Sequence, residues 1–221
     1  MSQPFQPVTG VAAPLLLPNI DTDVIIRIER LTAGGGPEAL GPWAFEALRY
    51  DAGGSERPEF IFNRPAWRSA PILIAGPNFG CGSSREGAVT AIAAMGVRCI
   101  IAESFGDIFY ANCFQGGVLP VRLDAAELDR CAEAAATPGA EFAVDLETQT
   151  IQPPVGAPIV FEIAALKREA LLLGLDDIGL SLRDGDLIRA WQAKDRAARP
   201  WVWSLPPGLP DDLSSSSQAT A

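Results

Sequence analysis

The chain has 221 residues, of which 48% are hydrophobic, and a formal charge of −10; it is long and apolar enough for one sizeable core. That charge, with a pI near 4.5, repels nucleic acid and anionic membrane surfaces, so an anionic small molecule has to be gripped by local arginines. Histidine is absent and the four cysteines, Cys81, Cys99, Cys113 and Cys131, form no CxxC pair. These facts exclude Ser-His and Cys-His chemistry and leave no zinc or iron–sulfur ligand set to be read from this chain.

Residues 11 to 17, VAAPLLL, and 71 to 76, PILIAG, read as apolar strands ending in turns. Between them TAGGGPEALGP, an amphipathic WAFEALRY and DAGGSERPEF predict a loop elaboration. The pattern then becomes α/β: a small-residue helix over SSREGAVTAIAAM stopped by Gly96, a buried strand VRCIIAES, a helix SFGDIFYANCFQ and a strand VLPVRL. Asp124 is placed to cap a helix DAAELDRCAEAAA, FAVDLETQTIQ and PIVFEI read as hairpin strands, and helices follow around ALKREALLLG and RDGDLIRAWQAKDRAAR. The expectation is a layered α/β domain over residues 1–203, β-rich in its first third, with a disordered tail over 204–221. No run approaches the roughly 18 apolar residues of a bilayer span, and MSQPFQPVTG lacks the basic start and apolar centre of a secretory signal, so the cytoplasm is the expected compartment.

The stretch FGCGSSREGA, residues 79 to 88, concentrates polar chemistry after glycine. Ser83 to Glu86 fits the capping box S-x-x-E, in which serine and glutamate side chains each take up an unpaired backbone donor. Capping leaves Gly80, Gly82, Ser84 and Arg85 unexplained. Glycines admit a ligand close to the backbone, a helix N-terminus favours an anion, and arginine grips a carboxylate with two parallel hydrogen bonds. The order G-C-G-S-S is neither a Walker loop nor a nucleophile elbow. With no histidine beside it, Ser83 or Ser84 is a poor nucleophile, though a serine alkoxide stabilised by strong positive charge can act as a base.

NIDTDVII at 19–26, FGCGSSRE at 79–86, ESFGDIFYANCFQGGVLP at 103–120 and GLDDIGLSL at 174–182 together resemble the small subunits of 3-isopropylmalate dehydratase, in the aconitase superfamily. The likeness runs in order over about residues 5 to 195. It implies a layered β/β/α swivelling domain of the aconitase C-terminal type. It also implies a separate large subunit, as heterodimer or heterotetramer, that carries a four-iron, four-sulfur (4Fe-4S) cluster. The implied reaction dehydrates a substituted malate and rehydrates it with the hydroxyl on the neighbouring carbon, the cluster serving as Lewis acid. Carried over by motif, Ser83 is the general base, Arg85 binds a substrate carboxylate, Ser84 assists, and Glu86 braces the turn. Asp23 matches an aspartate near the active site, or forms an Asx turn; Asn112 and Cys113 are read as structural.

Two positions leave the family's pattern: Arg27 stands where proline usually follows DTDxII, and Gly87 where histidine usually follows SSRE. If Arg27 points into the closed site, it meets the substrate's variable group; otherwise it reaches solvent along its aliphatic stem. Gly87 is either drift or room made for something. The leading reading is a hydro-lyase acting on isopropylmalate in leucine biosynthesis. The alternatives are a paralogue for citramalate, dimethylmalate or malate/maleate, and a non-catalytic binding domain of the same fold.

Overall fold

The computed structural model describes residues 3–82 and 85–204. Strand β1 (Val8–Leu15) leads into two short helices, α1 (Thr22–Ile25) and α2 (Ile28–Thr32). A 3-10 turn over Pro37–Trp43, helix α3 (Glu46–Arg49) and a second 3-10 turn over Ile61–Asn63 follow. Then come β2 (Ile72–Ala75), α4 (Glu86–Ala94), β3 (Cys99–Ala102), α5 (Asp107–Gln115), β4 (Leu119–Arg122) and α6 (Ala125–Ala135). Strands β5 (Glu141–Asp145), β6 (Thr150–Gln152) and β7 (Ile159–Val160) precede helices α7 (Ala165–Leu173), α8 (Asp177–Arg183), α9 (Gly185–Ala198) and α10 (Pro200–Trp203).

One seven-stranded sheet runs in the order β4-β3-β2-β1-β5-β6-β7. Its β4 to β1 half is parallel and its β5 to β7 half antiparallel. The long β1 joins the halves: residues 8–11 pair with β5 and residues 12–15 with β2. Strand side chains alternate between two cores. Ala13, Leu15, Leu73, Ala75, Ile100 and Ala102 face α4, α5 and the aromatic cluster of Phe45, Phe60 and Phe62. Ile72, Ile74, Cys99, Ile101, Leu119 and Val121 face α6 and the hairpin strands. Burial on both faces explains why β2 and β3 are apolar at every position, as parallel strands between two layers are.

The sequence reading of the middle holds. Asp124 caps α6, its Oδ1 accepting from the Glu127 amide at 2.9 Å, and α4 ends before Gly96. Two expectations are corrected. The first third is not β-rich: it holds β1 and β2, with short helices and 3-10 turns between them, because residues 37–63 bury Leu40, Phe45, Phe60 and Phe62. The capping box is also out of frame. Arg85, extended at φ −133° and ψ 101°, is the N-cap of α4 without a side-chain cap bond, and Glu86 is the first helical residue.

Contacts divide the chain into two compact units, Met1–Ile178 and Gly179–Ala221. Within the second, Asp195 accepts from Arg199 Nε at 2.8 Å and from Trp203 Nε1 at 2.9 Å, which holds α10 to α9. The tail expected from residue 204 lies, apart from Ser204 itself, outside the described residues. Among the described residues no helix is long and apolar enough to cross a membrane.

Candidate active site

The loops that leave the carboxyl ends of β1, β2 and β3 are knitted together by backbone hydrogen bonds. The amide of Gly80 donates to Ile20 O at 2.7 Å, Thr22 to Cys81 O at 3.0 Å, Phe79 to Ser104 O at 3.0 Å and Gly106 to Phe79 O at 2.9 Å. Side chains add to the seam: Asn78 Nδ2 donates to Asn19 Oδ1 at 2.8 Å, and the Asn78 amide to Ser104 Oγ at 2.8 Å. Residues 19–22, 78–81 and 104–106, from the first three sequence motifs and the residue before the second, thus meet at the strand ends where open α/β sheets place ligands. Two glycines make this approach possible. A Cβ on Gly80, at φ +70°, would lie 2.2 Å from the Phe109 ring, and one on Gly106 would lie 2.5 Å from Gly80 O.

Asp21 rather than Asp23 caps α1: its Oδ1 accepts from the Val24 amide at 2.8 Å. Capping turns Asp23 outward in the first turn, where its carboxylate pairs with the guanidinium of Arg85 across the seam. The same Arg85 Nη1 reaches Ile26 O at 3.5 Å. Arg85 is 20% exposed and Asp23 58%, so the arginine lies along the loop while the aspartate faces solvent. The Asx turn considered for Asp23 belongs to Asp21. Ser83 and Ser84 lie outside the described residues, between Gly82, at φ +92°, and Arg85.

Arg27 is not part of this pair. It is exposed at the N-cap of α2 and lines a cavity of about 640 Å³ with Arg30, Trp43, Glu46, Tyr50 and Arg57. There Arg30 lies 3.5 Å over the Trp43 ring and bonds Glu46 through Nε at 3.0 Å and Nη2 at 2.5 Å. That hydrogen bonding holds the Glu46 carboxyl below the usual carboxylate range, with Arg27 adding to the effect from further off. Sequence reasoning missed this clasp and the capping role of Asp21. An aspartate directly before TDVI was a readable N-cap signal; the clasp, spanning residues 30 to 46, left none.

Among the described residues no group of three or more His, Cys, Asp or Glu side chains could hold a metal ion. Burial raises the thiol of Cys131 to about 11 and those of Cys99 and Cys113 well above the ordinary range, so the thiolate that a cluster needs as ligand is disfavoured. These residues do not fit a four-iron, four-sulfur cluster.

The mixed sheet with its paired loops is an aconitase C-terminal domain: the model of that name matches residues 3–126. Residues 131–165 match LeuD_N, and 177–202 match the C-terminal domain of 3-isopropylmalate dehydratase small subunits. The 3-isopropylmalate dehydratase small subunit of Dinoroseobacter shibae is 50% identical over 202 residues, covering 90% of this chain and 98% of that one. The protein of the same name from Rhodospirillum centenum is 48% identical, with the same coverage. The solved 3-isopropylmalate dehydratase (leuD) of Methanocaldococcus jannaschii superposes with a TM-score of 0.62 at 28% identity, over 85% of this chain and 99% of its own. The chain belongs to the family of 3-isopropylmalate dehydratase small subunits.

Proposed function

We propose that this chain is the small subunit of a two-subunit hydro-lyase that converts 2-isopropylmalate to 3-isopropylmalate in leucine biosynthesis, in the cytoplasm. The observation that carries the reading is the Arg85–Asp23 pair on the seam of three loops. It sets a guanidinium, positioned before substrate arrives, at the start of a nine-residue helix and directly after a serine pair in the sequence.

The reaction moves a hydroxyl from one carbon to its neighbour and a proton the other way. In this reading Ser83 Oγ, as alkoxide, takes the proton from carbon and later returns it to the adjacent carbon. The positive end of α4 and the Arg85 charge stabilise the alkoxide. Arg85 holds a substrate carboxylate with the guanidinium edge that Asp23 leaves free, and Ser84 donates a further hydrogen bond. Asp23 keeps Arg85 oriented and faces the large subunit. The four-iron, four-sulfur cluster belongs in that subunit, where it supplies Lewis acidity. Arg27 meets the substrate's variable end from the cavity beside α2.

The test is reconstitution. The purified chain, alone and mixed with its cognate large subunit, is incubated with 2-isopropylmalate, and both isomers are separated by chromatography. Turnover is expected only in the mixture, and the lone chain is expected to be colourless. Stoichiometric iron in the lone chain, or no turnover in a mixture with an intact cluster, would overturn the reading.

A further inference from the structure

Gly87, where the sequence departs from its family's pattern, has a partner. A Cβ built on it would lie 2.4 Å and 2.9 Å from Leu31 Cδ2 and Cδ1 and 3.2 Å from Leu31 Cγ. The end of the Leu31 side chain therefore fills the volume that any side chain at position 87 would need. Leu31 belongs to α2 and packs on the core of the helical face. Gly87 is the second residue of α4, two positions after Arg85.

The segment that contains Leu31 also holds the arginine. Asp23 and Ile26 O both receive Arg85 Nη1, and both lie in the run from Asp21 to Thr32. Its other side is tied to α3 and the turn before it: the Phe45 amide donates to Ile25 O at 2.8 Å, and Arg30 is clasped by Glu46 and Trp43. The position of this run sets the position of the Arg85 guanidinium. On the side facing α4, α1 packs against that helix, and further along the run Leu31 seats on Gly87.

We infer that Leu31 and Gly87 are a positioning pair, a side-chain knob and a backbone hole that lock α2 against the first turn of α4 and so orient Arg85 for a substrate carboxylate. The inference rests on the carboxylate-binding role proposed for Arg85. A methyl at position 87 pushes Leu31 away, because the groups in conflict are the free end of a flexible side chain and not backbone. Helix α4 stays intact, while Leu31, displaced from its seat, moves α2 and with it the preceding run that holds Arg85 at Asp23 and Ile26 O. Removing the Leu31 side chain in the same molecule gives the methyl its space.

The experiment is a double-mutant cycle of Gly87→Ala and Leu31→Ala in the reconstituted two-subunit enzyme, with KM and kcat read for 2-isopropylmalate. Gly87→Ala is expected to raise KM about tenfold with kcat changed less than about twofold, about what misaligning one charge-assisted hydrogen bond to the substrate carboxylate costs. The double variant is expected to recover most of that loss, a coupling that two independent sites do not show. A second readout uses the lone chain: the rate of tryptic cleavage after Arg27 and Arg30 should rise about threefold in Gly87→Ala and fall back in the double variant. Additive effects on KM, or a fall in kcat alone, would overturn the inference, as would a change in melting temperature with KM untouched. If the wild-type mixture does not turn over 2-isopropylmalate, the functional reading fails, and the tryptic cycle alone decides whether the pair locks α2: coupling upholds the lock and its absence rejects it.

Discussion

Arg85 is committed before any substrate arrives, since one edge of its guanidinium faces Asp23 and Ile26 O. A planar fork can keep that hold and still offer another edge to a carboxylate; a single ammonium group has to choose. Arg85→Lys is therefore expected to raise KM for 2-isopropylmalate by roughly tenfold or more, about the value of one charge-assisted hydrogen bond at 1.5–3 kcal/mol. Ser83→Ala should do the opposite, lowering kcat by about 10²–10⁴-fold, as loss of a general base does, while KM moves little. Because Arg85 and not Ser83 is the N-cap of α4, Ser83→Ala should also leave the melting temperature near wild type. Were Ser83 a cap, its loss would cost about 0.5–2 kcal/mol of stability. Steady-state kinetics and thermal melts on the same preparations separate these outcomes: a stable, fully active Ser83→Ala removes the general-base role, and an unchanged KM in Arg85→Lys removes the carboxylate grip.

The elements that sequence made legible are those whose signals are local. Helix α6 has its capping aspartate, strands β2 and β3 are unbroken apolar runs, and α4 is a small-residue helix stopped by glycine, so each could be placed from its own residues. What stayed hidden depends on contacts far along the chain. Residues 37–63 read as loop because Gly and Pro interrupt them, yet their phenylalanines form a cluster with ring centroids 5.9–6.5 Å apart that also takes in Phe79. The site divides in the same way: its residue types stood in the motifs, but the joining of Asp23 to Arg85, 62 positions apart, comes from the loop seam. That seam is testable at Gly106. An added methyl there meets backbone, 2.5 Å from Gly80 O and 3.0 Å from Cys81 Cα, which no rotamer change relieves. Gly106→Ala should cost about 1–3 kcal/mol in a denaturant melt and lower activity by displacing the Gly80 loop; a neutral melt would mean the seam is slack. The α2–α3 clasp has a pH signature. The Glu46 carboxyl is lowered in the fold by Arg30, so its contribution is full above the unfolded glutamate value and is lost as pH falls through the lowered one. In wild type the rate of tryptic cleavage after Arg30, corrected for the enzyme's own pH profile, should therefore rise in acid, and Glu46→Gln should remove that dependence; equal acid sensitivity in both proteins would show that the clasp does not hold α2.

Across the whole molecule the sheet is the shared wall of two cores, and the cysteines report on both. Cys113 lies in the core of the α4 and α5 face, Cys99 and Cys131 in the core of the α6 face, and all three are buried, while Cys81 on the seam is partly exposed. Burial raises the buried thiols, Cys131 to about 11 and the other two well above the ordinary range, so at neutral pH they are shielded from a thiol reagent and also short of thiolate. In the native chain one thiol, Cys81, should react fast. The other three should wait for unfolding. Their order of appearance tests how the fold holds together. Strands β1, β2 and β3 give alternate side chains to the two cores, so neither face can open without exposing strands that the other needs. Cooperative loss of both is therefore expected within Met1–Ile178. Pulse labelling along a urea gradient, with peptides identified by mass spectrometry, should find Cys99, Cys113 and Cys131 exposed over one common transition. Labelling of Cys113 at clearly lower urea than Cys99 would mean that the helical face carrying the candidate active site unfolds on its own, and that the sheet does not couple the two cores.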